Sequence, residues 1–131
     1  MMTVDHIGLN VGNLDESLDF YRTWFGLEVI ARWDDPAQAF IGNGSFTLGL
    51  MEAAEYDFQR YTLAHLAFPV TQAAFQGWVE KIRNGGLAIV AGPKPQRGGE
   101  TILFRDPSGN ILEICYPSLQ AWRQTHEPIL A

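Results

Sequence analysis

The fold of this chain is indicated by a short stretch near its start, HIGLNV at residues 6–11, which returns in related form as HLAFPV at residues 65–70. In both stretches apolar side chains alternate with other residues, which is the pattern of a half-buried β-strand. A second repeated stretch is GLEV at residues 26–29, which resembles GLAI at residues 86–89. Because internal repeats dictate architecture, the sequence predicts a duplicated structural unit.

The elements predicted outward from these stretches have the same order in both halves. The first half is predicted to form a strand, a helix and three strands at residues 4–11, 14–25, 27–33, 38–41 and 46–51. The second half is predicted to repeat that order at residues 64–70, 73–84, 87–90, 101–104 and 111–116. Asn13 is a suitable N-cap for the first helix and Gly26 a suitable stop. We therefore predict an α+β domain with βαβββ modules at about residues 1–55 and 62–117 and a short C-terminal helix at 118–125.

The composition excludes several classes of partner. The 131 residues include 9 Lys and Arg against 15 Asp and Glu, so the net charge of −6 opposes binding to nucleic acid or to anionic lipid surfaces. No apolar run approaches the ~18 to 20 residues of a membrane helix, and the first residues lack the features of a secretory signal. We expect a cytoplasmic protein. Cys115 is the only cysteine, so a bound metal must be held by histidine and carboxylate side chains.

Three polar side chains are predicted to share one sheet face. Successive strand residues point to opposite faces, so the apolar residues of the first strand turn His6 away from the helices. The same alternation turns His65 away from them and places Glu113 beside Ile111 and Cys115. A single histidine in a strand is more often a polar residue with ordinary partners than a metal ligand. A carboxylate in the apolar run ILEIC is harder to explain, because burying it without a partner is costly.

A bound cation would account for all three side chains. Two imidazoles and one carboxylate suit Fe(II), Mn(II), Zn(II), Ni(II) or Co(II), with positions left for substrate or water. We therefore predict one divalent metal ion held by His6, His65 and Glu113.

Four segments together resemble the vicinal oxygen chelate superfamily, which includes glyoxalase I, bleomycin resistance proteins, fosfomycin resistance enzymes and extradiol dioxygenases. They are VDHIGLNV with His6, LDESLDFYRTWFG, AHLAFPV with His65, and FRDPSGNILEI with Glu113. The resemblance implies two βαβββ modules that form a curved mixed sheet around a divalent metal, which binds a small substrate through two oxygens. It also implies a homodimer with sites shared between subunits, so that His6 meets His65 and Glu113 of the partner subunit.

The sequence departs from individual branches of this superfamily. Gly49 stands at the repeat position of Glu113, where a glyoxalase I would need a fourth ligand, so that activity is not expected. The likeness to fosfomycin enzymes is weakened by Gly8, Gln38 and Trp122, which replace a threonine, a base glutamate and an arginine of that branch. Extradiol dioxygenases use an acid–base histidine that has no counterpart here. The reaction type stays open between lyase, isomerase, thiol transferase and dioxygenase.

The remaining candidate residues concern the substrate. Those predicted to line the cavity are Asn10, Thr47, Met51, Thr101, Leu103 and Cys115. Lys94 and Arg97 are interpreted either as anion-binding residues or as part of a solvated turn. Cys115 is interpreted as a lining residue, because no base stands near it to form a thiolate. The alternative function is a metal-free protein of the bleomycin-resistance type that sequesters a small molecule.

Overall fold

The computed structural model describes residues 1–53 and 64–127. The elements of the first half are β1 Ile7–Val11, α1 Leu14–Phe25, β2 Glu28–Asp34, β3 Ala37–Gly42 and β4 Thr47–Glu52. Those of the second half are β5 His65–Pro69, α2 Gln72–Asn84, β6 Ile89–Gln96, β7 Gly99–Arg105, β8 Ile111–Tyr116 and α3 Leu119–Thr125. The βαβββ order is therefore present twice, as predicted. The expected boundary between the modules, at about residues 55–62, lies outside the described residues.

Each half of the chain carries its own four-stranded mixed sheet. The strand order is β1-β4-β3-β2 in the first sheet and β5-β8-β7-β6 in the second. In each sheet the first strand pairs in parallel with the last strand of its half, and the other neighbours pair antiparallel. The α+β class and the duplication are confirmed. The curved sheet that the resemblance implies is divided here into two sheets with equal numbers of strands.

Helix α1 begins and ends at the predicted residues, because both of its termini are capped. The Asn13 side chain accepts a hydrogen bond from the Glu16 backbone N–H at 2.9 Å, and Gly26 ends the helix with a φ of 67°. A second acceptor comes from β4: Glu52 Oε2 accepts from the Leu14 N–H at 2.9 Å. A carboxylate is stabilising at a helix N-terminus. The Glu52 side chain therefore lies on the helix side of its sheet.

Strand β6 is longer than the sequence predicts. The pattern indicates a strand only at residues 87–90, whereas β6 continues through a Gly-Pro-Lys-Pro segment as far as Gln96. Proline disfavours an interior strand, but β6 lies at the end of its sheet, where a missing N–H donor is tolerated. Shifts in its register with β7 accommodate the irregular segment. The extension brings Lys94 into register with Thr101.

Strands β4 and β8 differ in how much of their length is buried. In β4, Leu48 and Leu50 are fully buried, whereas Met51 is 47% exposed. In β8, by contrast, every residue from Ile111 to Cys115 is buried, so both faces of that strand are covered. Glu113 is therefore a buried carboxylate in the middle of a strand. None of the helices within the described ranges is long and apolar enough to cross a membrane.

The described residues cluster into two compact units. One contains residues 1–53 together with the turn Asp106–Asn110, and the other contains residues 64–105 and 111–127. The turn is held to the first unit by the buried Asp106 carboxylate, which accepts from the Tyr21 hydroxyl at 2.7 Å and from the backbone N–H groups of Ser108 and Asn110 at 2.9 and 2.8 Å. The Asn110 amide donates to this carboxylate and to a carbonyl of β1. Burial and the charge of Asp106 raise the pKa of Tyr21, so its phenol stays protonated and donates.

Replacing Tyr21 by phenylalanine should lower the free energy of unfolding by about 1.5–3 kcal/mol, because a buried carboxylate loses one hydrogen bond. The matched control is Ser17→Ala, one turn earlier on the same buried side of α1. Among residues 1–53 and 64–127 the Ser17 hydroxyl has no hydrogen-bond partner, so its removal should leave stability unchanged or raise it by up to about 0.5 kcal/mol. Urea denaturation measures both. Equal losses in the two variants would contradict the assigned role of the Tyr21–Asp106 bond.

Candidate metal centre

Glu113 is the centre of a polar cluster on the second sheet. Its side chain is only 6% exposed, and its two oxygens have different partners. The Thr101 hydroxyl donates to Oε2 at 2.7 Å, and His65 Nε2 lies 3.2 Å from Oε1. Within residues 1–53 and 64–127, no lysine or arginine lies within ion-pair distance of this carboxylate. An imidazole is thus the group in this part of the chain that can balance its charge.

The pairing of β5 with β8 brings His65 and Glu113 together. The strands are parallel, with His65 opposite Ile111 and Ala67 opposite Glu113. Residues two apart on a strand share a face, so the imidazole and the carboxylate lie on the same face one step apart. The His65 side chain remains 41% exposed, which leaves it accessible to a ligand. Two of the three predicted metal ligands are therefore adjacent in the structure.

His6 lies in the first unit, immediately before β1. Its Nδ1 lies 2.7 Å from Asp5 Oδ2, and its side chain is 44% exposed. A carboxylate that accepts the Nδ1 proton of a histidine orients the ring and leaves Nε2 available for a metal, an arrangement common around metal sites. Sequence reasoning did not single out Asp5, although an acidic neighbour of a proposed histidine ligand is a recognisable signal.

The predicted ligands belong to different units of the chain. His6 belongs to the first unit, whereas His65 and Glu113 belong to the second. In the described ranges, no three side chains from His, Cys, Asp and Glu form a group that could hold a metal ion. The arrangement that the resemblance implies, with His6 supplied by one subunit and the other two ligands by another, stays a prediction.

The predicted anion-binding residues, Lys94 and Arg97, lie on or next to the sheet that carries Glu113. Lys94 of β6 is opposite Thr101 of β7, which is opposite Cys115 of β8, so these three side chains form a row on one face. Arg97 lies in the turn that follows, with a φ of 45°. With the Gln96 amide oriented so that its oxygen faces Arg97, the guanidinium donates to that oxygen at 2.7 and 2.9 Å. Both cationic residues are exposed. Their positive charge is available to an anionic ligand on this sheet.

Cys115 is buried and carries the only thiol of the chain. Burial and the nearby Glu113 carboxylate raise the pKa of this thiol, against an opposing contribution from Arg97. A neutral, buried thiol is a poor nucleophile. These observations favour the interpretation of Cys115 as a lining residue. Leu103, directly opposite Glu113, is half-buried and adds apolar surface to the same face.

The other predicted substrate residues lie on the first sheet, on the same face as His6. Asn10 is opposite Met51 in the pairing of β1 with β4, and Thr47 precedes Met51 on β4 at the same parity. Between them, Gly8 is opposite Gly49, just as Ala67 is opposite Glu113 in the second sheet. The register therefore confirms that Gly49 is the repeat counterpart of Glu113.

An aromatic ring fills the place where a fourth ligand would stand in the first sheet. A Cβ atom at Gly49 would lie 2.9 Å from the Phe40 ring, which is closer than real Cβ contacts allow. Phe40 also packs edge-to-face against His6, with 4.9 Å between ring centroids. A glutamate at this position would therefore require the Phe40 ring to move.

Gly49→Ala should lower the free energy of unfolding by about 1–3 kcal/mol, because the new methyl group overpacks against Phe40. In the Phe40→Ala background the same substitution should cost much less, giving a coupling energy of about 0.5–3 kcal/mol in a double-mutant cycle. The control is Gly8→Ala on the adjacent strand, where a Cβ meets nothing within 4 Å. Urea denaturation of the wild type, the two single variants, the double variant and the Gly8→Ala control measures these free energies. If the effects of the Gly49 and Phe40 substitutions were additive, the proposed contact between the two positions would be contradicted.

Comparisons with known proteins identify the family of the chain. Residues 3–114 match the family model of the Glyoxalase/Bleomycin resistance protein/Dioxygenase superfamily. The chain is 32% identical over 125 residues to a lactoylglutathione lyase of Neisseria meningitidis, covering 86% of this chain and 89% of that protein. It is 30% identical over 122 residues to a glutathione transferase FosA of Serratia marcescens, covering 92% and 85%.

A solved structure has the same fold. It is a mutant of the fosfomycin resistance protein FosX of Listeria monocytogenes, crystallised with Mn(II) and 1S,2S-dihydroxypropylphosphonic acid. The match has a TM-score of 0.81 at 23% identity and covers 96% of this chain and 99% of that one. With the duplicated βαβββ order and the family match over most of its length, the chain belongs to the glyoxalase/bleomycin resistance protein/dioxygenase superfamily.

Proposed function

We propose that this protein is a divalent-metal-dependent enzyme that acts as a homodimer. One ion is held by His6 of one subunit and by His65 and Glu113 of the partner subunit. The observation that carries the proposal is the burial of Glu113, a carboxylate with an imidazole but no lysine or arginine in ion-pair range among the described residues. A buried carboxylate needs compensation by a cation or by several hydrogen bonds, and a divalent ion supplies it.

The available donor atoms suit such an ion. Imidazole nitrogen and carboxylate oxygen are the ligands that Mn(II), Fe(II), Zn(II), Ni(II) and Co(II) accept in sites with open positions. Asp5 would keep the His6 ring oriented, and Thr101 would keep Glu113 oriented. Mn(II) is the first ion to test, because the related FosX structure contains it. When bound, the ion would act as a Lewis acid toward two oxygens of a small substrate.

The side chains around Glu113 favour an anionic substrate. Lys94 and Arg97 place positive charge on the sheet that carries His65 and Glu113, where a phosphonate or carboxylate group would be attracted. Leu103 and the neutral Cys115 thiol add apolar surface beside them. Gly49 has no side chain that could act as a fourth ligand, so a thiol-transferase or hydration reaction is favoured over the glyoxalase I type.

This reaction type has a simple chemical form. A thiol or water attacks an electrophilic carbon of an anionic substrate, a carbon–oxygen bond of that carbon breaks, and the released oxygen takes up a proton. Fosfomycin with glutathione or another thiol is therefore the first substrate to assay, followed by methylglyoxal with glutathione and then catechols. Turnover in the first assay that requires both His6 and Glu113 would assign the branch.

Protein purified without added metal should carry a divalent ion that is lost in His6→Ala and in Glu113→Gln, because each substitution removes one ligand of a three-ligand site. Elemental analysis by mass spectrometry measures the metal per chain. The control is His126→Ala, since His126 stacks on Trp122 near the C-terminus, 4.5 Å between centroids, and is no proposed ligand. Metal retained in both ligand variants would contradict the assignment. A wild-type protein that binds none of the five ions would favour the sequestering alternative.

Mixing the two ligand variants tests whether sites are shared between subunits. If sites are shared, a heterodimer of one His6→Ala chain and one Glu113→Gln chain has one site with all three ligands. Its other site lacks both the histidine at position 6 and the glutamate at position 113. Random reassociation should therefore restore about a quarter of the wild-type metal content, as expected for a two-fold symmetric dimer. The measurement is metal content after the variants are unfolded and refolded together. Recovery no greater than in either variant alone would show that each site is built within one chain.

A further inference from the structure

We infer that Thr101 is a positioning residue that holds the Glu113 carboxylate in its metal-binding orientation and so determines the affinity of the site for a divalent ion. This inference rests on the proposed function, in which Glu113 is a ligand. It assigns Thr101 a different role from the substrate contact that its place on the sheet face predicts.

The hydrogen bond between the two side chains crosses the sheet diagonally. Thr101 is directly opposite Cys115, and Glu113 is directly opposite Leu103, so the hydroxyl reaches one step along the neighbouring strand. The two oxygens are 2.7 Å apart, and both residues are buried, with Thr101 completely inaccessible. A hydrogen bond from a hydroxyl to an ionised carboxylate is among the stronger ones in proteins. Because threonine is β-branched, its χ1 is restricted and the hydroxyl position is well defined.

The bond distinguishes the two oxygens of the carboxylate. Oε2 is occupied by Thr101, while Oε1 is the oxygen that lies 3.2 Å from His65 Nε2. The terminal torsion of a glutamate is broad, so without the hydroxyl the carboxylate can rotate and exchange its oxygens. With the hydroxyl in place, one oxygen stays on the side of the second proposed ligand. The orientation of Glu113 toward His65 is therefore established before an ion binds.

Other neighbours do not duplicate this role. In the amide orientation in which Gln96 accepts from the Arg97 guanidinium at 2.7 and 2.9 Å, the Gln96 atom that lies 3.3 Å from Glu113 Oε2 is an oxygen, so it donates no hydrogen bond to the carboxylate. Thr101 is fully buried and its hydroxyl is already committed, so it has no exposed surface to offer a substrate. Its effect on function is therefore transmitted through Glu113.

The test compares Thr101→Val, which keeps the shape but removes the hydroxyl, with Thr101→Ser, which keeps the hydroxyl. Calorimetric titration of the metal-free homodimer with Mn(II) gives the affinity, and the visible absorption spectrum of the Co(II)-loaded protein reports the ligand geometry. Loss of an outer-shell hydrogen bond typically weakens metal affinity about 10–100-fold, which is the loss expected for the valine variant. The serine variant should keep the wild-type affinity and spectrum.

Two results would overturn the inference: a valine variant that binds Mn(II) as tightly as the wild type, or a folded serine variant that binds as weakly as the valine variant. Circular dichroism establishes folding, and the serine variant decides the matter alone if the valine variant does not fold. Glu113→Gln, titrated in parallel, separates this inference from the proposed function. If Glu113→Gln binds normally, the ligand assignment fails; if only Glu113→Gln loses the metal, the role of Thr101 fails.

Discussion

The burial of one carboxylate, that of Glu113, is the constraint on which the proposed chemistry of this protein depends. Moving an ionised carboxylate out of water costs several kcal/mol even after relaxation, so it persists in a folded chain only with strong compensation. Here the compensation visible in the described residues is one hydroxyl and an imidazole. The neighbouring strand positions are filled by apolar residues that contribute nothing to it. A cation coordinated jointly with histidines would complete it.

A second buried carboxylate in the same chain shows what a purely structural arrangement looks like. Asp106 accepts hydrogen bonds from a phenol, two backbone N–H groups and a side-chain amide, so both of its oxygens are fully engaged by neutral donors. It fastens the turn between β7 and β8 to α1 and β1. Glu113 has fewer donors, and one of its oxygens faces an accessible imidazole. The difference in donor number, rather than burial itself, distinguishes the structural acid from the candidate ligand.

The duplicated modules have diverged at equivalent positions. In the second sheet, the position opposite Ala67 carries Glu113; in the first, the position opposite Gly8 is Gly49, and the Phe40 ring packs in the space above it. One module therefore offers an acid and an imidazole on its sheet face. The other offers an imidazole against an aromatic ring. Within the described residues this asymmetry is why a duplicated fold need not produce two equivalent ligand sets.

The sequence alone determined the element order, the limits of α1 and the sheet face on which His65 and Glu113 lie, because periodicity and capping are local properties. The adjacency of these two side chains depends on the pairing of β5 with β8, which only the tertiary structure decided. The sequence did not determine that β6 continues through two prolines, since an edge position in the sheet makes this tolerable. The contacts of Thr101 with Glu113, Phe40 with Gly49 and Tyr21 with Asp106 were likewise decided only by the tertiary structure. Each joins side chains from different elements, and their distance depends on strand register and helix packing that no local pattern encodes.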